Sequence, residues 1–378
     1  MFINFWYPAC LSTDLTDTPL KTRILGQDLV AFRDSKGQAH VLSNTCTHRG
    51  GSLGDGKVLG DCVQCPYHGW EFTGSGECVK IPSLGKDAKV PGRTRIDAYP
   101  VEERYGIVFA FLGDLPEAER PPIMDIPTFD QEGWRATWMT YEVDVNYERS
   151  IENGLDPAHN EFVHPTHGFG GENAEYKVHE LRMVDEDSDW GFGFFHKFNS
   201  PPANKESVMA KYKTAKSDRE AGSGHCGPNH LWTIIRFSEE AEFGQYVYEA
   251  PVDEGRAKIY LINMRNMALG PEQDDAITEK NWYVAKQDIV VLEELHPVVT
   301  PDSNTKEFMV PADKVILMYR DLLDEWTAKG WRIDTEAVRR DEKRVAYAIP
   351  SPARRGQKGW VLDSIPLLDA GADSSAGS

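Results

Sequence analysis

Two short cysteine–histidine pairs, Cys46-Thr47-His48 and Cys65-Pro66-Tyr67-His68, constrain this chain more than any other feature. Each pair gives one thiolate and one imidazole a short reach to metal, and residues 49–64 can fold back to bring the pairs together. Two cysteines and two histidines can make a structural zinc site. They can also make a [2Fe–2S] centre in which two cysteines hold one iron and two histidines the other, at a higher potential than an all-cysteine cluster. The flanking residues separate these readings. Arg49-Gly50-Gly51-Ser52-Leu53 follows the first pair, and Gly69-Trp70-Glu71-Phe72-Thr73-Gly74 follows the second. Glycines beside the ligands let two loops approach a bulky cluster without Cβ clashes.

Taken whole, Cys-x-His-Arg-Gly followed by Cys-x-Tyr-His-Gly-Trp-x-Phe resembles the Rieske signature. Such a centre moves one electron at a time, so a destination for the electron is expected. It is found in Glu152-Asn153-Gly154-Leu155-Asp156-Pro157-Ala158-His159-Asn160-Glu161-Phe162-Val163-His164-Pro165. Non-haem iron that activates oxygen uses two histidines and one carboxylate on one face. His159 and His164 can supply the imidazoles. On a regular helix they would lie about 140° apart, so the segment must bend. Pro157 and Pro165 supply the breaks, because the residue before a proline is pushed out of helical geometry.

Asn-x-x-Asp-x-x-His-x-x-x-x-His after a Rieske motif is similar to the mononuclear iron motif of the Rieske non-haem iron oxygenases. The resemblance implies one [2Fe–2S] cluster on Cys46, His48, Cys65 and His68, and one Fe(II) on His159 and His164, with O2 as co-substrate. It implies that Asp156 accepts a hydrogen bond from His159 while reaching a Rieske histidine, His68, of a neighbouring subunit. Asn153 matches the motif's asparagine, near the iron without being an established ligand. Without the resemblance, Asp156 reads as a helix N-cap before Pro157.

The third ligand is sought in Asn281 to His296, read as a helix. Val284, Asp288, Val291, Leu292 and Leu295 fall within about 60° either side of Asp288. A carboxylate on such an aliphatic face is costly unless it is paired or holds a metal. Glu293 and Glu294 point away and read as solvated. The Gln287-Asp288 pair also resembles the family's carboxylate ligand, which makes Asp288 the candidate, with a salt bridge as its structural alternative.

Composition agrees with a two-part enzyme of 378 residues. No apolar run approaches the length of a membrane span, and Met1-Phe2-Ile3-Asn4-Phe5-Trp6-Tyr7-Pro8 lacks a signal-peptide pattern. Cys10, Cys62, Cys78 and Cys226 form no convincing disulfide ladder, so free thiols and a cytoplasmic location are expected. The net charge of −19 falls almost wholly after residue 115, which argues against nucleic acid as a partner. The near-neutral first part, with Lys57, Lys80, Lys86, Lys89, Arg93 and Arg95, could accept an acidic ferredoxin.

The expected fold class is α+β: an all-β Rieske [2Fe–2S] domain over 1–115, a proline-rich linker over 116–133, and a catalytic domain over 134–365. A disordered tail over 366–378 completes the chain. For the catalytic part the resemblance implies a helix-grip fold of the START/Bet v 1 type, an antiparallel sheet wrapped round a long helix. Helices are expected at 147–163, 273–296, 311–329 and 335–345. Residues 199–228 read as a surface insertion that could serve as a lid. Trp282, Tyr246, Tyr248, His167, His230 and Asn229 are candidate pocket residues, though aromatics at such positions also suit a core.

The resemblance further implies a homotrimer of the dicamba monooxygenase and vanillate demethylase type, fed by a flavin-dependent NAD(P)H reductase, a ferredoxin, or both. The expected reaction is hydroxylation or oxidative demethylation of an apolar aromatic small molecule. Three other readings are open: a cis-dihydroxylating dioxygenase, a START-like ligand-binding protein with a non-catalytic Rieske centre, and a pure electron carrier.

Overall fold

The computed structural model describes residues 1–86, 88–165, 171–173, 175–178, 180–198, 219–238, 240–301 and 304–370. Contacts divide the chain into two units. The first is all β through residue 121. Its strands are β1 (Phe5–Leu11), β2 (Leu20–Ile24), β3 (Gln27–Arg33), β4 (Ala39–Ser43), β5 (Lys57–Leu59), β6 (Cys62–Gln64), β7 (Glu71–Thr73), β8 (Cys78–Lys80), β9 (Ala98–Tyr99), β10 (Val101–Arg104) and β11 (Ile107–Leu112). They form three sheets, ordered β1-β11-β10, β2-β3-β4-β9 and β5-β6-β7-β8. Val30, Phe32, Leu42, Leu53, Val63, Phe72, Ile81 and Ile96 form one buried cluster that also contains Cys46 and Cys65. The two cysteine–histidine loops thus leave β4 and β6 directly over the core, and that core fixes their positions.

The second unit centres on an antiparallel sheet of β12 (Arg135–Val143), β13 (Arg182–Val184), β14 (Gly193–Phe198), β15 (Arg219–Cys226), β16 (His230–Arg236), β17 (Glu242–Asp253) and β18 (Arg256–Arg265). Its order is β12-β18-β17-β16-β15-β14-β13. Helices α1 (Tyr147–Leu155), α2 (Asn160–Val163) and α3 (Asp274–Leu292) position the candidate iron residues, His159 and His164 at the two ends of α2 and Asp288 within α3. Helix α1 packs on β15 and β16, and α3 packs on β12, α1 and α2. The approach of α1 to β16 depends on Gly154, where a Cβ would come within 2.1 Å of Leu231.

Three boundaries differ from expectation. The segment from Trp326 belongs to the first unit rather than to the catalytic part. Trp326 is fully buried with Phe5 across its face at 4.7 Å, and Arg354 makes two 2.7 Å bonds to the buried Asp97. These are burials of aromatic area and charge that chain order does not reveal. The expected tail is ordered at its start, where Leu367 bridges to Ile333; residues 371–378 lie outside the described residues. Of the expected insertion, residues 219–226 are strand β15, paired along Glu220–Cys226 with β16. Residues 199–218, and with them most of the lid reading, lie outside the described residues, as does His167.

The expected helix over 147–163 is broken in two, as Pro157 requires. Asn146 caps α1, accepting from the amides of Glu148 and Arg149. At the other end Asp156 is extended, with φ −81° and ψ 113°.

Candidate metal centres

The two loops of the first unit share one backbone design. The Cys46 amide donates to the Gly51 carbonyl and Gly50 donates back to Cys46; the Cys65 amide donates to Trp70 and Gly69 donates back to Cys65. Each turn needs a left-handed residue at the fourth position after the first cysteine or its counterpart, and Gly50 (φ +69°) and Gly69 (φ +71°) fill it. The cysteines are 1% and 2% exposed, whereas His48 and His68 are exposed, with ring centroids 4.4 Å apart. Trp70 stacks on His48 at 4.6 Å and 4°.

This donor set suits a two-iron cluster. A Cβ on Gly51 would lie 2.9 Å from the Cys65 sulfur, so only glycine leaves that side of the cradle free. Burial pushes the Cys46 thiol up to about 12, with the neighbouring Cys65 adding to it. Its thiolate therefore needs a strong positive charge beside it, which a metal supplies. Among the described residues none of the six cysteines is in a disulfide, and Cys62 sits in β6 as a strand residue.

In the second unit, His159, His164 and Asp288 each offer one ligand atom, all within 4.8 Å of one another. The Nε2 atoms of the histidines are 3.2 Å apart, and Asp288 Oδ1 is 3.3 Å from His164 and 3.7 Å from His159. Three neighbouring corners of a six-coordinate site with bonds of about 2.1 Å would be roughly 3 Å apart. Asp288 Oδ1 is buried without a hydrogen bond among the described residues, which leaves it free to ligate.

Local structure explains how residues five apart meet. His159 and His164 flank the single turn of α2 as its N-cap and C-cap, and neither lies within it. The His159 Nδ1–H donates to the backbone carbonyl of Asp156 at 2.7 Å, and the His164 Nδ1–H donates to Gln287 Oε1 at 3.1 Å. Both rings are thereby held in the tautomer that leaves Nε2 unprotonated, as a metal ligand must be. Burial also holds His164 below the usual histidine range, against the pull of Asp288.

Two details correct the expected arrangement. His159 is held by the main chain of Asp156 and not by its carboxylate. The extended backbone before Pro157 aims that carbonyl at the ring, while Asp156 Oδ1 accepts from the Ala158 amide at 2.6 Å. Val291 was expected on the buried face of α3 but is 45% exposed; about 60° from Asp288, it sits at the edge of the stripe, whereas Val284, Leu292 and Leu295 nearer its centre are half-buried. Glu293 and Glu294 are exposed, as their helix positions predict. Asn153 is half-buried in the last turn of α1, and its carbonyl accepts from the Asp156 amide.

Sequence reasoning left Gln287 without a role and missed Glu249 entirely. Glu249, on β17, is 1% exposed and bonds to Ser150 Oγ of α1 at 2.7 Å. Burial pushes its carboxyl up to about 8. The available signal was an acid in a strand apolar on both alternating faces, Tyr246-Val247-Tyr248-Glu249-Ala250. Beside the histidine helix, Glu152 accepts from Arg320 at 2.6 and 3.0 Å, and Arg149 and Arg320 share Glu307.

Comparisons with known proteins agree with both halves. Residues 5–100 match the Rieske [2Fe-2S] domain, and residues 143–329 match the vanillate O-demethylase oxygenase C-terminal domain. The chain is 29% identical over 348 residues to the toluene-4-sulfonate monooxygenase system iron-sulfur subunit TsaM1 of Comamonas testosteroni, covering 86% of this chain and 96% of that one. It is 38% identical over 176 residues to the tert-butanol monooxygenase / tert-amyl alcohol desaturase oxygenase subunit of Aquincola tertiaricarbonis. That match spans 46% of this chain and only 36% of that relative. Among solved structures, NdmA of Pseudomonas putida CBB5 with caffeine has a TM-score of 0.72 at 25% identity, covering 86% of this chain and 91% of that one.

Proposed function

The chain belongs to the Rieske non-haem iron oxygenases, a family of oxidoreductases, and from that membership we propose that it is the terminal oxygenase of a multicomponent system. It takes electrons from NAD(P)H through a flavin-dependent reductase, a ferredoxin, or both, and uses O2 to hydroxylate or oxidatively demethylate a small aromatic molecule. Cys46, His48, Cys65 and His68 hold the cluster; His159, His164 and Asp288 hold the iron. The observation that carries this reading is the triangle of two Nε2 atoms and the orphaned Asp288 oxygen, with edges of 3.2–3.7 Å. A ligand-binding protein with a dead site would have no need of it.

When bound, the cluster supplies electrons singly and the iron supplies oxygen activation. The chain's own residues set the conditions. The Asp156 carbonyl and Gln287 Oε1 fix the ligand rings, so their Nε2 atoms stay aimed at one point. Burial of Cys46 and Cys65 beneath exposed His48 and His68 gives electrons one way out, through the histidine edge. The Asp156 carboxylate spends Oδ1 on the Ala158 amide and keeps Oδ2 for a histidine of a neighbouring subunit. Exposed Phe162, Val290, Val291 and Phe308 in the same unit support burial against other subunits, in a homotrimer.

The names of these two relatives favour monooxygenation, one naming an arenesulfonate and the other a tertiary alcohol. Lys80 is paired with Glu71, and Arg93 and Arg95 bond to residues 357–359, which leaves exposed Lys57, Lys86 and Lys89 for an acidic donor protein. No helix among the described residues is long and apolar enough to cross a membrane, and free thiols beside an iron–sulfur centre suit the cytoplasm. Iron and acid-labile sulfide analysis tests the assignment: a cluster with no further iron would reduce the protein to an electron carrier or binding protein.

A further inference from the structure

Buried polar groups without partners gather on the helix-covered face of the second unit's sheet. Glu249 meets Ser150 of α1 through Oε1, and its Oε2 has no hydrogen-bond partner among the described residues. Asn263 is fully buried, with neither amide atom bonded among the described residues. Thr137, its direct cross-strand partner, has a buried hydroxyl in the same condition. Cross-strand partners share a face. Tyr141, four residues along β12 and of the same parity, lies 4.9 Å from Trp282 of α3, so this is the face that α3 covers. Asn281, beside Trp282, adds a buried side-chain nitrogen without a partner.

A core built only for packing would fill these positions with apolar side chains, because buried polar groups are normally paired. Their convergence beneath α1 and α3, the helices packed beside His159 and His164, marks space meant for a polar ligand. Burial, then Glu249, then Asp288 push the Tyr141 hydroxyl up, so the two carboxyl groups act on one interior. Of the described arginines on this face, Arg149 and Arg320 are committed to Glu152 and Glu307, and Arg265, two residues beyond Asn263, is paired with Asp274; Glu249 itself has no ion-pair partner among the described residues.

We propose that Glu249 determines specificity, by accepting a hydrogen bond from a hydroxyl or amine of the substrate, and that the chamber therefore selects neutral or cationic aromatic compounds over carboxylates and sulfonates. Its carboxyl, raised by burial, pairs as the acid with a hydroxyl or as the carboxylate with an ammonium group. With Glu249 ionised, an anion placed beside it would meet a second negative charge that no ion-pair partner among the described residues offsets. Asn263, Thr137 and Asn281 supply the remaining polar contacts along the chamber. This inference rests on reading the interior as the oxygenase's substrate chamber.

Calorimetric titration of the anaerobic holoprotein with three matched probes, 4-methoxybenzylamine, 4-methoxybenzyl alcohol and 4-methoxybenzoate, run on the alkaline side of the Glu249 titration at about 8, tests it without turnover. The amine and the alcohol should bind at least about tenfold tighter than the benzoate, the size of one hydrogen bond to a charged or buried polar group. Glu249→Gln should lose the amine preference while keeping the alcohol, and Glu249→Leu should bring all three probes within about threefold. Should Glu249→Leu fail to fold, the loss of amine preference in Glu249→Gln decides the matter. Benzoate binding as tight as the donors, no binding of either donor, or an unchanged ranking in the folded variants overturns the inference. Iron content, measured on the same samples, reports separately on the oxygenase assignment.

Discussion

Gln287 Oε1 accepts the Nδ1–H of His164 at 3.1 Å, and the next residue on the same helix, Asp288, places its Oδ1 3.3 Å from the Nε2 of that ring. One turn of α3 thus both offers a candidate ligand atom and sets the tautomer of another. Replacing Gln287 with leucine removes the acceptor and lets the ring turn. Iron affinity should fall about 10–100-fold, the usual effect of losing such a partner, with the Rieske absorbance unchanged. Competition with a chelator reads the first, and visible spectroscopy the second.

At the other centre, a single methyl group should be enough to exclude the cluster. Gly51→Ala places its Cβ 2.9 Å from Cys65 Sγ, and the neighbouring sulfur cannot retreat into a packed core. The visible spectrum of the cluster should be lost or much weakened. Gly50→Ala has open space around it and costs only the left-handed backbone, about 1–2 kcal/mol, so its cluster should remain. Similar cluster loss in both variants would mean that loop flexibility, and not space, makes the glycines necessary.

The buried ion pair between Arg320 and Glu152 anchors the helix that leads into the metal ligands. Arg320→Met leaves Glu152 buried with Arg149 as its remaining partner, and should cost about 3–5 kcal/mol. Combining it with Glu152→Met should cost less than Arg320→Met alone. Urea unfolding of the single and double variants measures both numbers.

Glu249 makes stability depend on pH in a defined sense. Its carboxyl titrates at about 8 in the fold and near the ordinary carboxylate value when unfolded, so the folded state holds the proton more tightly. Its contribution is complete at low pH and is lost as pH rises through about 8, at up to ~1.4 kcal/mol per pH unit. His225, buried and depressed to about 4, acts at the acid end, where stability falls as pH drops below the ordinary histidine value. Wild type should therefore lose melting temperature between pH 5 and 8 relative to Glu249→Gln. Parallel melting curves for the two proteins across that range would contradict this.

What could be read from the chain alone was what depends on local chemistry. Cys46, His48, Cys65 and His68 announce themselves because glycines and ligands must alternate closely round a cluster. His159 and His164 do so because prolines mark where the helix must break. What could not be read depends on contacts far apart in sequence. Trp326 and Arg354 join the first unit through Phe5 and Asp97, which no pattern near either residue reveals. The Asp156 carboxylate and carbonyl are indistinguishable as acceptors until the backbone angle before Pro157 is known. Val291 fits a helical stripe, but a stripe does not say how wide its packed face is.

Two separate iron centres in one chain are tested most directly by metal analysis of wild type beside Asp288→Ala. Wild type should contain about three iron atoms and two acid-labile sulfides per chain, two irons in the cluster and one mononuclear. Asp288→Ala should contain about two irons, with its Rieske spectrum intact. A wild-type protein with only two irons, or an Asp288→Ala variant that keeps all three, would contradict the account.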